Sequence, residues 1–193
     1  WFQGNDHSGV TGGVNTSSDF PAFSGGTDSY IGTIFAVSNS GIGATLSNWL
    51  FTPTATLNNG DTFSFYTRTN TFGGSTIYPD RLEVRLSTNG SSTNVGATST
   101  SVGDFTNLLL TVNPSLNTAD YPTTWTQYNL TVSGLAGPTS GRFAFRYFVT
   151  DGGPAGANSG RIGIDDVNYT AVPEPGTLAV LGLGLLAARK RRK

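Results

Sequence analysis

The sequence predicts an all-β protein, an antiparallel two-sheet β-sandwich of jelly-roll type, followed by one short C-terminal apolar helix. Three observations predict it. About eight short apolar stretches recur at roughly 10–20-residue spacing, with no helical periodicity between them. Turn formers punctuate the chain throughout, with 26 Gly and 9 Pro in 193 residues. Residues 177–188 then form a single uncharged apolar run. With 36% hydrophobic and 11% aromatic residues, the chain has enough apolar surface for a packed core.

Each element follows from its local pattern. Residues 1–29 read as loop, broken at Gly12-Gly13 and Gly25-Gly26. A first strand is expected over 30–37. A second, over 44–53, puts Trp49 and Phe51 on one face and stops at Pro53. Trp49, flanked by Leu50 and Phe51, is expected in the core. Asn59-Gly60-Asp61 is a turn signal leading into a strand over 62–69, in which Phe63 and Phe65 share a face. Residues 80–88 alternate: Leu82, Val84 and Leu86 point one way, Arg81, Glu83 and Arg85 the other. Glu83 is expected to pair with Arg81, Arg85 or Arg146 on an exposed sheet face. Asn89-Gly90 turns the chain into a Ser/Thr/Gly-rich loop ending near Gly103. Strands over 105–112 and 124–133 follow, the second aligning Tyr128, Leu130 and Val132. The strand over 141–151 aligns Phe143, Phe145, Tyr147 and Val149; a Gly-rich loop over 151–160 precedes the last strand, 161–170.

That last strand contains a break in parity. Ile162 and Ile164 fall on even positions, Val167 and Tyr169 on odd ones. If both pairs face the core, one extra residue must be accommodated at Asp165 and Asp166, which is a β-bulge. A bulge also re-aims the carboxylates beside it.

Composition excludes several functions. Residues 1–170 carry six Arg, no Lys and eleven acidic residues, a net −5, whereas residues 171–193 carry +4. A mildly acidic body offers nothing to track a phosphate backbone, so nucleic acid is not an expected partner. There is no Cys and hence no disulfide or thiol chemistry. A Ser-His-Asp hydrolase needs a histidine beside its nucleophile. The only histidine, His7, lies in the N-terminal loop. A glycosidase needs two carboxylates flanking the scissile bond. The body holds one Glu, Glu83, and Asp80 would face the opposite side of a regular strand. No catalytic residue is assigned, and the chain is read as a non-enzyme.

The tail has three ordered parts: Val172-Pro173-Glu174-Pro175, the apolar span 177–188, and the basic stop Arg189, Lys190, Arg191, Arg192 and Lys193. The basic end marks the cytoplasmic side of a membrane. An apolar helix of this length rises roughly 18–20 Å, short of a ~30 Å hydrocarbon core, so snorkelling and local thinning are required. In these parts the chain resembles the PEP-CTERM sorting signal of Gram-negative envelope proteins. The resemblance implies an exosortase-type membrane protease as partner and transient residence in the inner membrane. The outer envelope or extracellular matrix would follow. The chain then divides into a sandwich (1–170), a linker with the motif (171–176), a membrane segment (177–188) and a cytoplasmic stop (189–193). It has no Met and opens on Trp1, so its natural start and signal peptide are expected to lie upstream.

The body resembles the choice-of-anchor J domain, related to cleaved-adhesin domains and more distantly to MAM-like jelly rolls. The matching residues are Trp1-Phe2-Gln3-Gly4-Asn5, Leu46-Ser47-Asn48-Trp49-Leu50 with Pro53, the segment 80–87, Phe145-Arg146-Tyr147 and Ile162-Gly163-Ile164-Asp165-Asp166-Val167. Family members usually carry a further strand ahead of the Trp-Phe-Gln block, so an edge strand is expected to be missing. Relatives of this kind hold structural Ca²⁺, a cation that takes six to eight oxygen ligands. The resemblance makes Asp165, with Asp166, the first candidate for a calcium site, and Asp19, Asp28 and Asn48 its candidate partners from early loops. The alternative is that one Asp caps the bulge through backbone N–H bonds while the other faces solvent. Transition metals are not expected, with one His and no Cys. Trp125, opening a strand after Tyr121-Pro122, is a candidate glycan contact.

The function expected from all of this is an exported, non-enzymatic surface or matrix protein. It would be sorted at its C-terminal motif and act adhesively or structurally in exopolysaccharide or biofilm. A calcium-dependent carbohydrate-binding module is the alternative.

Overall fold

Period-two alternation decides which face of each strand is buried, and the buried faces meet as two sheets. The structure, a computed structural model, describes residues 1–4, 20–37, 43–71 and 77–173. Among the described residues ten strands follow in order: β1 (Phe2–Gln3), β2 (Ile31–Ile34), β3 (Ala44–Phe51), β4 (Ala55–Leu57), β5 (Thr62–Thr69), β6 (Leu82–Ser87), β7 (Asn107–Val112), β8 (Thr126–Thr131), β9 (Thr139–Gly152) and β10 (Arg161–Thr170). The first sheet runs β1-β2-β10-β5-β8; the second runs β3-β9-β6-β7, with β4 also on β9. All pairings are antiparallel. From β4 onward every connection except the β6–β7 pair passes from one sheet to the other, which is the winding of a jelly roll. The expected C-terminal helix lies outside the described residues.

The core lies between the facing strands. Phe63 stacks on Phe143 at 4.2 Å between ring centroids, and Phe65 meets Phe145 edge-on at 5.0 Å. Leu46, Leu57, Leu82, Val84, Leu86, Tyr147, Val149, Ile162 and Ile164 complete it. Each fully buried side chain of this size stabilises by roughly 1.5–3 kcal/mol, and each aromatic pair adds about 0.5–1.5 kcal/mol beyond area.

The structure departs from the sequence expectations at four places. Residues 1–29 contain β1, paired on the edge of β2. β4, where no strand was expected, follows Pro53 onto β9. The first long strand stops at Ile34, and Phe35–Val37 form a 3-10 turn. The outer face of β6 is covered: Glu83 is 7% exposed and Arg146 1%. The cover is the loop 88–106, whose Ser99 carbonyl accepts a bond from Arg146 Nη2 at 2.6 Å and whose Phe105 is fully buried. Beneath it Glu83 Oε2 accepts from Arg85 Nε at 2.7 Å and Arg146 Nη1 at 3.0 Å. Burial raises the Glu83 carboxyl, but these two guanidinium groups outweigh it and hold it below the usual range. Trp49 belongs to this outer layer, not the central core. It is half-buried and packs on Phe105 and Phe51, with the Arg146 guanidinium over its ring.

The parity break in β10 is a bulge. Asp165 pairs with Tyr66 and Asn168 with Ser64, so two residues of β10 oppose one of β5. Asp166 takes φ 48°, a left-handed conformation that Asp tolerates better than most side chains. Beyond it Tyr169 rejoins the core against Phe143, whereas Val167 stays 46% exposed.

Candidate functional site

The tail leaves the sandwich at one end, called the base, formed by the β4–β5 turn, the β8–β9 loop and the end of β10. Asp61 sits in the turn and is fully buried. Its Oδ2 accepts from Asn58 N at 2.7 Å and from the Tyr169 hydroxyl; its Oδ1 accepts from Val172 N at 2.8 Å. Burial pushes the Asp61 carboxyl up, but the bonds from Tyr169, Asn58 and Val172 outweigh it, so it titrates below the usual range. Tyr169 Oη also lies 2.9 Å from the Thr56 carbonyl oxygen. Gly60 takes φ +96°, and a Cβ there would lie 3.5 Å from a Val172 methyl, so the Val172 side chain lies over the turn.

The neighbouring loop is tied to the same turn. Val132 N donates to the Asp61 carbonyl and Gly60 N to the Val132 carbonyl, both at 2.8 Å. Asn59 bridges to Leu135, donating Nδ2 to its carbonyl at 2.7 Å and accepting its N–H at 2.9 Å. The first residue of the sorting strip is thereby held against the folded body. Val172 and Pro173 are described and exposed. Glu174, Pro175, the apolar span and the basic stop of Arg189, Lys190, Arg191, Arg192 and Lys193 lie outside the described residues. Nothing in the sequence near Asp61 pointed to this clasp, because Tyr169 and Val172 are over a hundred residues away.

The bulge carboxylates divide their work. Asp165, 7% exposed, accepts from Phe23 N at 2.7 Å and Ser24 N at 3.1 Å through Oδ2, and from Asp166 N at 2.7 Å through Oδ1. Asp166 is exposed. Asp165 therefore fastens the segment around Phe23 to the outer face of the first sheet, where Phe23 stacks on Tyr66 at 3.7 Å. Asn48 is elsewhere, donating Nδ2 to Thr33 Oγ1 at 3.0 Å from the opposite sheet. Asp28 is exposed beside Gly4; Asp19 and His7 lie outside the described residues. Among the described residues no group of three or more His, Cys, Asp or Glu converges on a metal position.

Trp125 lies on that same outer face. Its ring is half-buried, edge-on to Phe20 at 5.5 Å and to Tyr30 at 5.7 Å, and its Nε1 donates to the Pro21 carbonyl at 2.9 Å. The cluster rests on Gly163: a Cβ there would meet Phe20 at 2.7 Å and Trp125 at 2.9 Å, so only glycine fits. Arg161 is buried under Phe2, Phe20 and Tyr30, donates Nη2 to the Gly4 carbonyl at 2.7 Å and also meets the Tyr30 hydroxyl. Burial pushes it down to about 10, so it remains cationic near neutrality.

One buried carboxylate carried no signal in the sequence. Asp80, fully buried between the sheets at the end opposite the base, accepts from Tyr147 Oη at 2.6 Å and Gly160 N at 2.8 Å through Oδ1. Its Oδ2 lies 2.6 Å from Thr69 Oγ1. Desolvation pushes it up to about 6, against the bonds from Thr69, Tyr147 and Gly160. Its setting is structural, closing the loop before β10 onto β5 and β9.

Comparison with known proteins places the tail. Residues 171–193 match the PEP-CTERM protein-sorting motif. That motif is a signal for export and for membrane processing of the exosortase type, so this is an exported protein. No curated protein matches the chain. Among solved structures it is similar to the K1 cleaved adhesin domain of Lys-gingipain from Porphyromonas gingivalis, at 22% identity and TM-score 0.48 over 75% of each chain. It is also similar to the K3 cleaved adhesin domain of the same protein, at 19% identity and TM-score 0.47, over 84% of this chain and 89% of that one.

Proposed function

We propose that this protein is a non-enzymatic surface or matrix module, delivered across the inner membrane and processed at its C-terminal motif by an exosortase-type protease. It would then act adhesively or structurally in exopolysaccharide. The observation that carries the reading is the sorting motif joined directly to a two-sheet β-sandwich. The buried carboxylates support a structural rather than catalytic use. Glu83 is tied to two arginines, and Asp61, Asp80 and Asp165 are each engaged by three donors. The loops at the end remote from the tail, over 113–125 and 151–160, are the natural display surface, since function on such folds resides in loops.

Intact mass spectrometry of protein recovered from hosts with and without the protease tests this. A product lacking the residues beyond the motif, seen only in the competent host, is expected. A chain ending at Lys193 in both would overturn it. Retention of the processed body on purified exopolysaccharide tests the adhesive role.

A further inference from the structure

We propose that the base of the sandwich is a membrane-facing surface, held flat against the outer leaflet of the inner membrane while the apolar tail is inserted. The inference rests on the sorting reading and adds the orientation and partner of the body. Its first ground is the absence of slack. The Asp61 carboxylate holds Val172 on the base, and the apolar span begins at residue 177. Five residues reach at most ~17 Å when fully extended. The polar headgroup layer takes up roughly 6 Å of that. About 11 Å remains, close to the ~10 Å spacing of two packed sheets, so the body cannot tumble freely above the bilayer.

The second ground is charge. In the segments that make the base, 54–61, 132–138 and 170–173, the sole carboxylate is Asp61, which is buried under the clasp. Asp120 and Asp151 belong to the loops at the opposite end; on the base side Asp104, in the loop after β6, is engaged by Asn89 and Ser92. The third ground is exposed apolar side chains at this end. A groove of about 580 Å³, lined by Leu108, Leu109, Leu135 and Ala136 together with Thr88, Thr106, Asn107 and Ser133, opens beside the base. Leu108 is 49% exposed and Val172 38%.

The chain has no Cys, so single labels can be placed cleanly. Full-length Ala136→Cys (base) and Thr123→Cys (opposite end), each with a thiol fluorophore, would be reconstituted into vesicles of phosphatidylethanolamine and phosphatidylglycerol carrying headgroup spin labels. The eight-residue β5 alone separates the two ends by ~27 Å. Loss of fluorescence at Ala136 is expected to be several times that at Thr123. A Gly/Ser insert of about ten residues between Val172 and Pro173 leaves the clasp intact and adds roughly 17 Å of reach. It is expected to abolish the difference. Equal quenching in the uninserted chain overturns the orientation. A difference that persists with the insert overturns the tether as its cause. A chain that fails to float with the vesicles overturns the membrane reading and the orientation with it. A difference that requires co-reconstituted protease assigns the base to a protein partner and overturns the lipid one.

Discussion

Replacing Asp80 with Asn should stabilise the sandwich at alkaline pH. Asp80 is fully buried, and desolvation raises its carboxyl from 3.8 to about 6. A group whose pKa is raised on folding contributes most below its unfolded value, here near 4. That contribution is lost as pH rises through about 6, because the unfolded chain ionises first. At ~1.4 kcal/mol per tenfold, holding the native carboxylate ionised at pH 8 costs on the order of 3 kcal/mol. Asn preserves the neutral geometry. Its Oδ1 can accept from Tyr147 Oη and Gly160 N, and its Nδ2 can donate to Thr69 Oγ1, whose own proton then goes to the Arg161 carbonyl at 2.9 Å. Urea unfolding followed by tryptophan fluorescence should show D80N more stable than the parent by about 1–3 kcal/mol at pH 8, converging near pH 4. Refutation would be a D80N chain less stable than the parent at pH 8, or a gap between the two that does not change between pH 4 and 7.

Other perturbations probe the remaining buried groups. R146M leaves Glu83 with one partner under the 88–106 loop and should cost roughly 3–5 kcal/mol by chemical unfolding; R146K should not restore it, since one ammonium cannot reach Ser47, Glu83 and Ser99 together. At Asp166, with φ 48°, a β-branched D166V should lower stability by about 1–2 kcal/mol whereas D166G should be near neutral. D165A should strip the amides of Phe23 and Ser24 of their acceptor, cost roughly 1–3 kcal/mol, and speed proteolytic nicking within 20–30. Because Asp165 already holds three backbone amides, millimolar Ca²⁺ is expected to move Tm little relative to a chelator; a large rise would assign a cation site to Asp165 and Asp166.

The strand 62–69, the alternation of β6 and β9 and the bulge at Asp165 and Asp166 were legible in the chain because each is a short-range pattern. Side-chain period two reports a half-buried strand wherever one face meets a core, and a parity flip reports the extra residue. The tail was legible for the same reason, its three parts being contiguous. Trp49 and Glu83 were misplaced because alternation says which side a residue faces, not what covers that side. A loop of Ser, Thr and Gly gives no local sign that it will fold over an arginine.

What the sequence determined by itself is a two-sheet sandwich with a sorting tail, since hydrophobic alternation and the tripartite end are properties of neighbouring residues. Only the tertiary structure decided the clasp of Asp61 on Val172, the burial of Asp80 and the layer under the 88–106 loop. Those depend on distant segments meeting, and a carboxylate's role is set by the donors folding brings to it.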